Sequence, residues 1–156
     1  MASLAVLLKL RGHIVSGSDE NVYPPMSDFL AENNVAVHKG FSPKNLEPLP
    51  DLVVIGNALS RGNPEIEAVL DLKLPYISMA ELLKEHFIRG KKSLVVTGTH
   101  GKTTTTSMLA WVFETAGKDP GFMIGGIAEN FGTSCRDAKG SFFITEGDEY
   151  DTAFFD

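Results

Sequence analysis

The segment that most constrains this chain is Gly98-Thr99-His100-Gly101-Lys102-Thr103-Thr104. It lies between an apolar run, Ser93 to Thr97, and a helix-like stretch, Thr105 to Ala116. A buried strand that turns through glycines into a helix belongs to an α/β fold, because parallel strands need a crossover element to return the chain. The turn is also an anion site. Backbone N–H groups converge there and the helix dipole adds partial positive charge. Lys102 brings a full charge for the β- and γ-phosphates of a nucleoside triphosphate, and the Thr103 hydroxyl is placed to hold Mg2+. Gly98, Thr99, His100, Gly101, Lys102, Thr103 and Thr104 are therefore the candidate nucleotide-binding residues. The spacing is a shortened variant, since the usual loop needs a glycine where this chain has Val96.

A second apolar run, Phe142 to Thr145, discharges into Glu146-Gly147-Asp148-Glu149-Tyr150-Asp151. In phosphate-loop enzymes a residue at the end of a neighbouring strand holds the metal. Hard Mg2+ prefers carboxylate, hydroxyl, phosphate and water oxygens. Glu146, first after the strand, is the candidate to share the ion with Thr103 and to act with Lys102 in catalysis. Of Asp148, Glu149 and Asp151, one or two at most should face the metal.

The half of the chain before the loop also alternates. The pattern predicts a helix over Ala2 to Leu10 stopped by Gly12, and a strand over His13 to Gly17 ending in Ser18-Asp19. A short helix, Met26 to Glu32, and a strand, Val35 to Val37, follow. The run Asp51 to Gly56 is a further strand. Asn63 caps a helix with Pro64 in its first turn. Tyr76-Ile77 is a short strand, and Ser78 to Glu81 opens a helix to about Phe87. Such a unit normally starts with a strand and a glycine-rich turn, whereas this chain starts inside the first helix. Arg89-Gly90-Lys91-Lys92 is a polar break between two units, residues 1–90 and 91–156. After the loop helix, a strand near Phe122 to Ile124 leads to a glycine-rich loop from Gly125, then Asn130.

Composition narrows the function classes. A formal net charge of −6 argues against a general nucleic-acid or acidic-membrane binder. Ala2 to Leu8 has no basic region before it, and Lys9 and Arg11 stand where a signal cleavage site should be. With no run of membrane-spanning length, a cytoplasmic location is the default. One cysteine, Cys135, allows no internal disulfide. His13, His38 and His86 have no convergent partners in sequence.

The shortened loop Gly98 to Thr104, with the acidic turn Asp148-Glu149-Tyr150-Asp151 after the second strand, resembles the Mur ligases, ATP-dependent enzymes of peptidoglycan assembly. Three strings, Gly17-Ser18-Asp19 with Asn21 to Met26, Ile55 to Pro64, and Glu149 to Asp156, resemble the recycling branch. The alanine-adding branch usually carries Asp-Glu-Ser-Asp at the acidic turn. The resemblance implies a Rossmann-like UDP-binding domain, here lacking its first strand, then the start of a P-loop ATPase domain, with a third domain absent. It implies ATP and Mg2+ as cofactors, and UDP-N-acetylmuramate and the murein tripeptide L-Ala-γ-D-Glu-meso-diaminopimelate as partners. No nucleic-acid or membrane partner is implied. Ser18 and Asp19, at the end of a strand, and Asn57, Ala58, Leu59 and Ser60, after the next strong one, should border the UDP-sugar pocket. Asn130 is a further candidate substrate contact, or a turn-setting residue. The more usual Glu-Ala-Asp-Glu is Glu146-Gly147-Asp148-Glu149 here, which removes only a methyl group. An L-alanine ligase and a non-catalytic nucleotide-binding module are the alternatives. The fragment alone is expected to be inactive.

Overall fold

A computed structural model of the chain describes residues 1–56 and 61–147; Asn57 to Ser60 and Asp148, Glu149 and Asp151 lie outside the described residues. The chain forms two compact units, Met1–Met79 and one beginning at Ala80, whereas the family resemblance and the polar break suggest a boundary near residue 90.

Among its described residues, the first unit is built from two parallel strand pairs and three α-helices. Helix α1 (Ala2–Leu10) ends at Arg11, followed by Gly12 at φ 89°. Strand β1 (Ser16–Asp19) pairs in parallel with β2 (Ala36–Lys39) across helix α2 (Met26–Glu32). A 3-10 turn, Pro43–Leu46, leads to β3 (Val53–Ile55). Strand β3 pairs in parallel with β4 (Tyr76–Ser78) across α3 (Pro64–Asp71). Leu4, Val6, Leu7, Phe29, Leu30, Val35 and Val69 are its buried core. The strand expected over His13 to Gly17 begins at Ser16 and runs on through Ser18 and Asp19. Ile14 is fully exposed, so the apolar pair Ile14-Val15 does not mark a buried strand.

The boundary falls at the first residue of α4 (Met79–Leu83), and a π-helical turn, Lys84–Ile88, follows and buries Phe87. Strand β5 (Lys92–Val96) feeds α5 (Lys102–Thr115); β6 (Gly121–Ala128), β7 (Thr133–Arg136) and β8 (Phe142–Glu146) complete a sheet of order β5-β8-β6-β7. Strand β8 is parallel to both neighbours, and β7 is an antiparallel edge on β6. Phe143, Ile144 and Thr145 are all buried, as a central strand covered on both faces requires. Ala110 of α5 packs with Phe122, Ile124, Ala128 and Ile144. Arg136 ties β7 to α5, donating to both Glu114 oxygens at 3.2 and 2.5 Å and to Pro120 O. That guanidinium holds the Glu114 carboxyl below its ordinary value. Cys135 is buried, and burial pushes its thiol up to about 11, so it is a packing residue with little nucleophilic character. Among the described residues, no helix is long and apolar enough to cross a membrane.

Candidate active site

The site in the second unit is assembled where β5 hands over to α5. Gly101 immediately precedes the helix at φ 76°, a left-handed conformation that a side chain disfavours. The helix begins at Lys102, earlier than the sequence pattern suggests. The hydroxyl residues that follow bond back into the first turn. Thr106 Oγ1 donates to Lys102 O at 2.8 Å and Ser107 Oγ to Thr103 O at 2.7 Å. Lys102 and Thr103 therefore ride on the first turn of a 14-residue helix whose N-terminal end, with its partial positive charge, faces the loop. The Lys102 ammonium donates to Gly98 O at 2.8 Å, curling over the turn, and His100 Nδ1 lies 3.2 Å from Thr99 Oγ1.

Glu146 reaches this loop through sheet register. Val96, the last residue of β5, is the partner of Glu146, the last of β8. Ile144, two residues earlier on the same face, is buried beside Ala110 of α5, and Glu146 follows it at the end of the strand, only partly covered. Thr103 Oγ1 donates to Glu146 Oε2 at 3.1 Å, and the Gly125 N–H donates to Oε1 at 2.6 Å. Two oxygens bound at about 2.1 Å on adjacent corners of an octahedron stand about 3.0 Å apart, so the Thr103–Glu146 pair suits Mg2+ in both chemistry and spacing. Among the described residues, no three His, Cys, Asp or Glu side chains gather into a metal cluster. The remaining positions around such an ion would fall to phosphate and water, as Mg2+ favours.

In the first unit, Ser18 and Asp19 take different places. The Ser18 hydroxyl donates to Glu65 Oε1 at 2.7 Å and accepts from Asn45 Nδ2 at 3.1 Å, so it is committed to the protein. Asp19 accepts from the Asn21 N–H at 2.9 Å and borders a cleft of about 430 Å3 that Tyr23, Ser27, Leu30, Val37 and Lys39 also line. Glu65 and Asn45 were not legible as partners of Ser18, because each comes from a separate element. Asn130 is exposed in the turn between β6 and β7. Its neighbour Phe131 packs edge-on against Trp111, with ring centroids 5.5 Å apart, and against Phe122 at 4.6 Å.

The Mur ligase family catalytic-domain model matches residues 1–91, and the Mur ligase middle-domain model matches residues 96–146. The chain belongs to the Mur ligase family. It is 51% identical over its whole length to the UDP-N-acetylmuramate–L-alanyl-gamma-D-glutamyl-meso-2,6-diaminoheptandioate ligase of Haemophilus influenzae. It is 36% identical to a UDP-N-acetylmuramate–L-alanine ligase of Syntrophomonas wolfei, also over its whole length. The crystal structure of the UDP-N-acetylmuramate:L-alanyl-gamma-D-glutamyl-meso-diaminopimelate ligase from Neisseria meningitides superposes with a TM-score of 0.90 at 48% identity, covering 100% of this chain and 51% of that one. The chain spans 34% of the Haemophilus protein and 33% of the Syntrophomonas one.

Proposed function

We propose that this Mur ligase chain supplies the UDP-sugar-binding and ATP-binding parts of a ligase joining UDP-N-acetylmuramate to L-Ala-γ-D-Glu-meso-diaminopimelate in peptidoglycan recycling. The division of labour is residues 1–90 for the UDP-sugar and 91–156 for ATP. The observation that carries the ATP reading is the Thr103–Glu146 pair beside Lys102, formed between the first turn of α5 and the end of β8. The acceptor assignment rests on the greater identity to the tripeptide ligase, 51% against 36% for the alanine ligase.

The difficulty in this chemistry is electrostatic. The lactyl carboxylate of UDP-N-acetylmuramate must approach the γ-phosphorus of ATP, anion against anion, to give an acyl phosphate with ADP as the leaving group. The tripeptide amine then displaces phosphate from the acyl carbon, giving the amide, Pi and a proton. Lys102 and the loop N–H groups answer that charge before the reaction begins. Mg2+, when held by Thr103 and Glu146, neutralises developing charge on the phosphate oxygens. Glu146 holds the Thr103 hydroxyl in place, and Gly101 lets the backbone come close to the phosphates. Asp19, at the carboxyl end of β1, is positioned like the acidic residue that takes a ribose hydroxyl in related sheets. Ser18 supports that strand end through Glu65 and Asn45.

Titration calorimetry of this chain with ATP and Mg2+ tests the reading. Lys102→Ala should weaken ATP about 10- to 100-fold, the loss expected for hydrogen bonds to a charged group. Equal affinity in the two proteins would remove Lys102 from the site. In the enzyme that carries this chain, phosphate release with tripeptide but not L-alanine supports the recycling reaction. The reverse preference makes it the alanine ligase, and no acceptor-dependent release leaves a nucleotide-binding module.

A further inference from the structure

Strand β6 is expected to stop near Ile124 and give way to a glycine loop. It continues instead to Ala128, through a distortion. Its pairing with β7 jumps from Met123–Cys135 to Ala128–Thr133, so β6 carries extra residues between the two pairs. Such bulges re-aim backbone groups beside functional sites. Here the bulge holds Gly125 and Gly126, and it turns the Gly125 N–H onto Glu146 Oε1 at 2.6 Å while Oε2 accepts from Thr103. One carboxylate is thus gripped at both oxygens, by a backbone amide on one side and by the loop hydroxyl on the other.

We infer that Gly125 is the positioning residue for the Glu146 carboxylate. Its N–H fixes one oxygen so that the other stays beside Thr103, ready for a divalent cation. The inference rests on the proposed role of Glu146 and deepens it. A Cβ at Gly125 would stand 3.2 Å from Oε1 and 3.3 Å from Oε2, tighter than an ordinary contact, so a side chain there shifts the carboxylate by a few tenths of an ångström. A Cβ at the adjacent Gly126 would stand 3.5 Å from Thr103 Cγ2, an ordinary contact. Neither glycine has the positive φ that would strain alanine. The two neighbours therefore make a matched pair, one aimed at the carboxylate and one not. Groups that orient a metal ligand through hydrogen bonds commonly govern affinity as strongly as some ligands do.

The test uses the 156-residue chain with ATP and Mn2+ as the probe, reading by electron paramagnetic resonance how the ion divides between free nucleotide and the protein complex. Gly125→Ala should weaken Mn2+ in the complex by about 10-fold or more, with metal-free ATP affinity and melting temperature unchanged. Gly126→Ala should leave all three unchanged. Mn2+ affinity unchanged in Gly125→Ala, or lowered equally in both variants, overturns the positioning role while leaving Glu146 in place. Failure of the unmodified chain to hold Mn2+ with ATP overturns the proposed site as well. A second reading needs no change at Gly125: in Glu146→Gln its amide proton should move upfield in the nuclear magnetic resonance spectrum. An unmoved signal also overturns the inference.

Discussion

At residue 147 a methyl group is a larger change than it looks. A Cβ on Gly147 would lie 2.7 Å from Val95 Cγ1 and 3.0 Å from Thr97 Cγ2. The Gly147 N–H donates to Val96 O at 2.9 Å, so its backbone is held against β5. Reading only the sequence, the loss of the family's usual alanine carries little weight, because the crowding partners lie on another strand. We predict that Gly147→Ala costs about 1–3 kcal/mol, the usual range for overpacking, as measured by urea denaturation followed through Trp111. Adding Val95→Ala should relieve more of that cost than two independent changes allow. A neutral Gly147→Ala would show that the contact imposes no constraint.

Helix α3 shows what is legible at the scale of one element. Asn63 and Pro64 announce its start, and the Asn63 side chain accepts from the Glu65 and Ile66 N–H groups at 3.0 and 3.2 Å. Both signals are local, so sequence suffices. Asn63→Ala should cost about 1 kcal/mol; hydrogen exchange of the α3 amides should then run about fivefold faster wherever that helix opens alone or with its unit. Unchanged exchange would mean that tertiary packing, not the cap, holds the helix end. The strand–turn–helix junction at Gly98 to Thr104 and the place of Glu146 at a strand end were legible for the same local reason, as was the alternation that fixes the α/β class. The β6 bulge was not. A bulge is a mismatch between two strands, and Gly125-Gly126 reads equally well as a loop until β7 is paired beside it. The late start of β1 was hidden similarly, since Ile14 and Val15 have strand-forming side chains but Ile14 has no burial partner. The bonds from Ser18 to Glu65 and Asn45 join residues far apart in sequence, and no spacing rule encodes them.

Across the whole molecule, the order β5-β8-β6-β7 has a kinetic meaning. Helix α5 carries the chain from β5 past one strand's width to β6, and β8, the last of the four in sequence, enters the space between. Its pairing with β5 closes a segment of about 50 residues, a slow event compared with forming a helix or a hairpin. Thr103 and Glu146 cannot meet before that closure. In refolding from urea, nucleotide binding should therefore recover later than the docking of α5 against the β6–β7 turn, followed through Trp111 beside Phe131. Simultaneous recovery would mean that β8 docks as early as α5 does. If binding does lag, the two halves of the site meet only at the last threading step. On the proposed function, partly folded chains would then hold neither nucleotide nor metal, and ligand would capture only those copies whose sheet is complete.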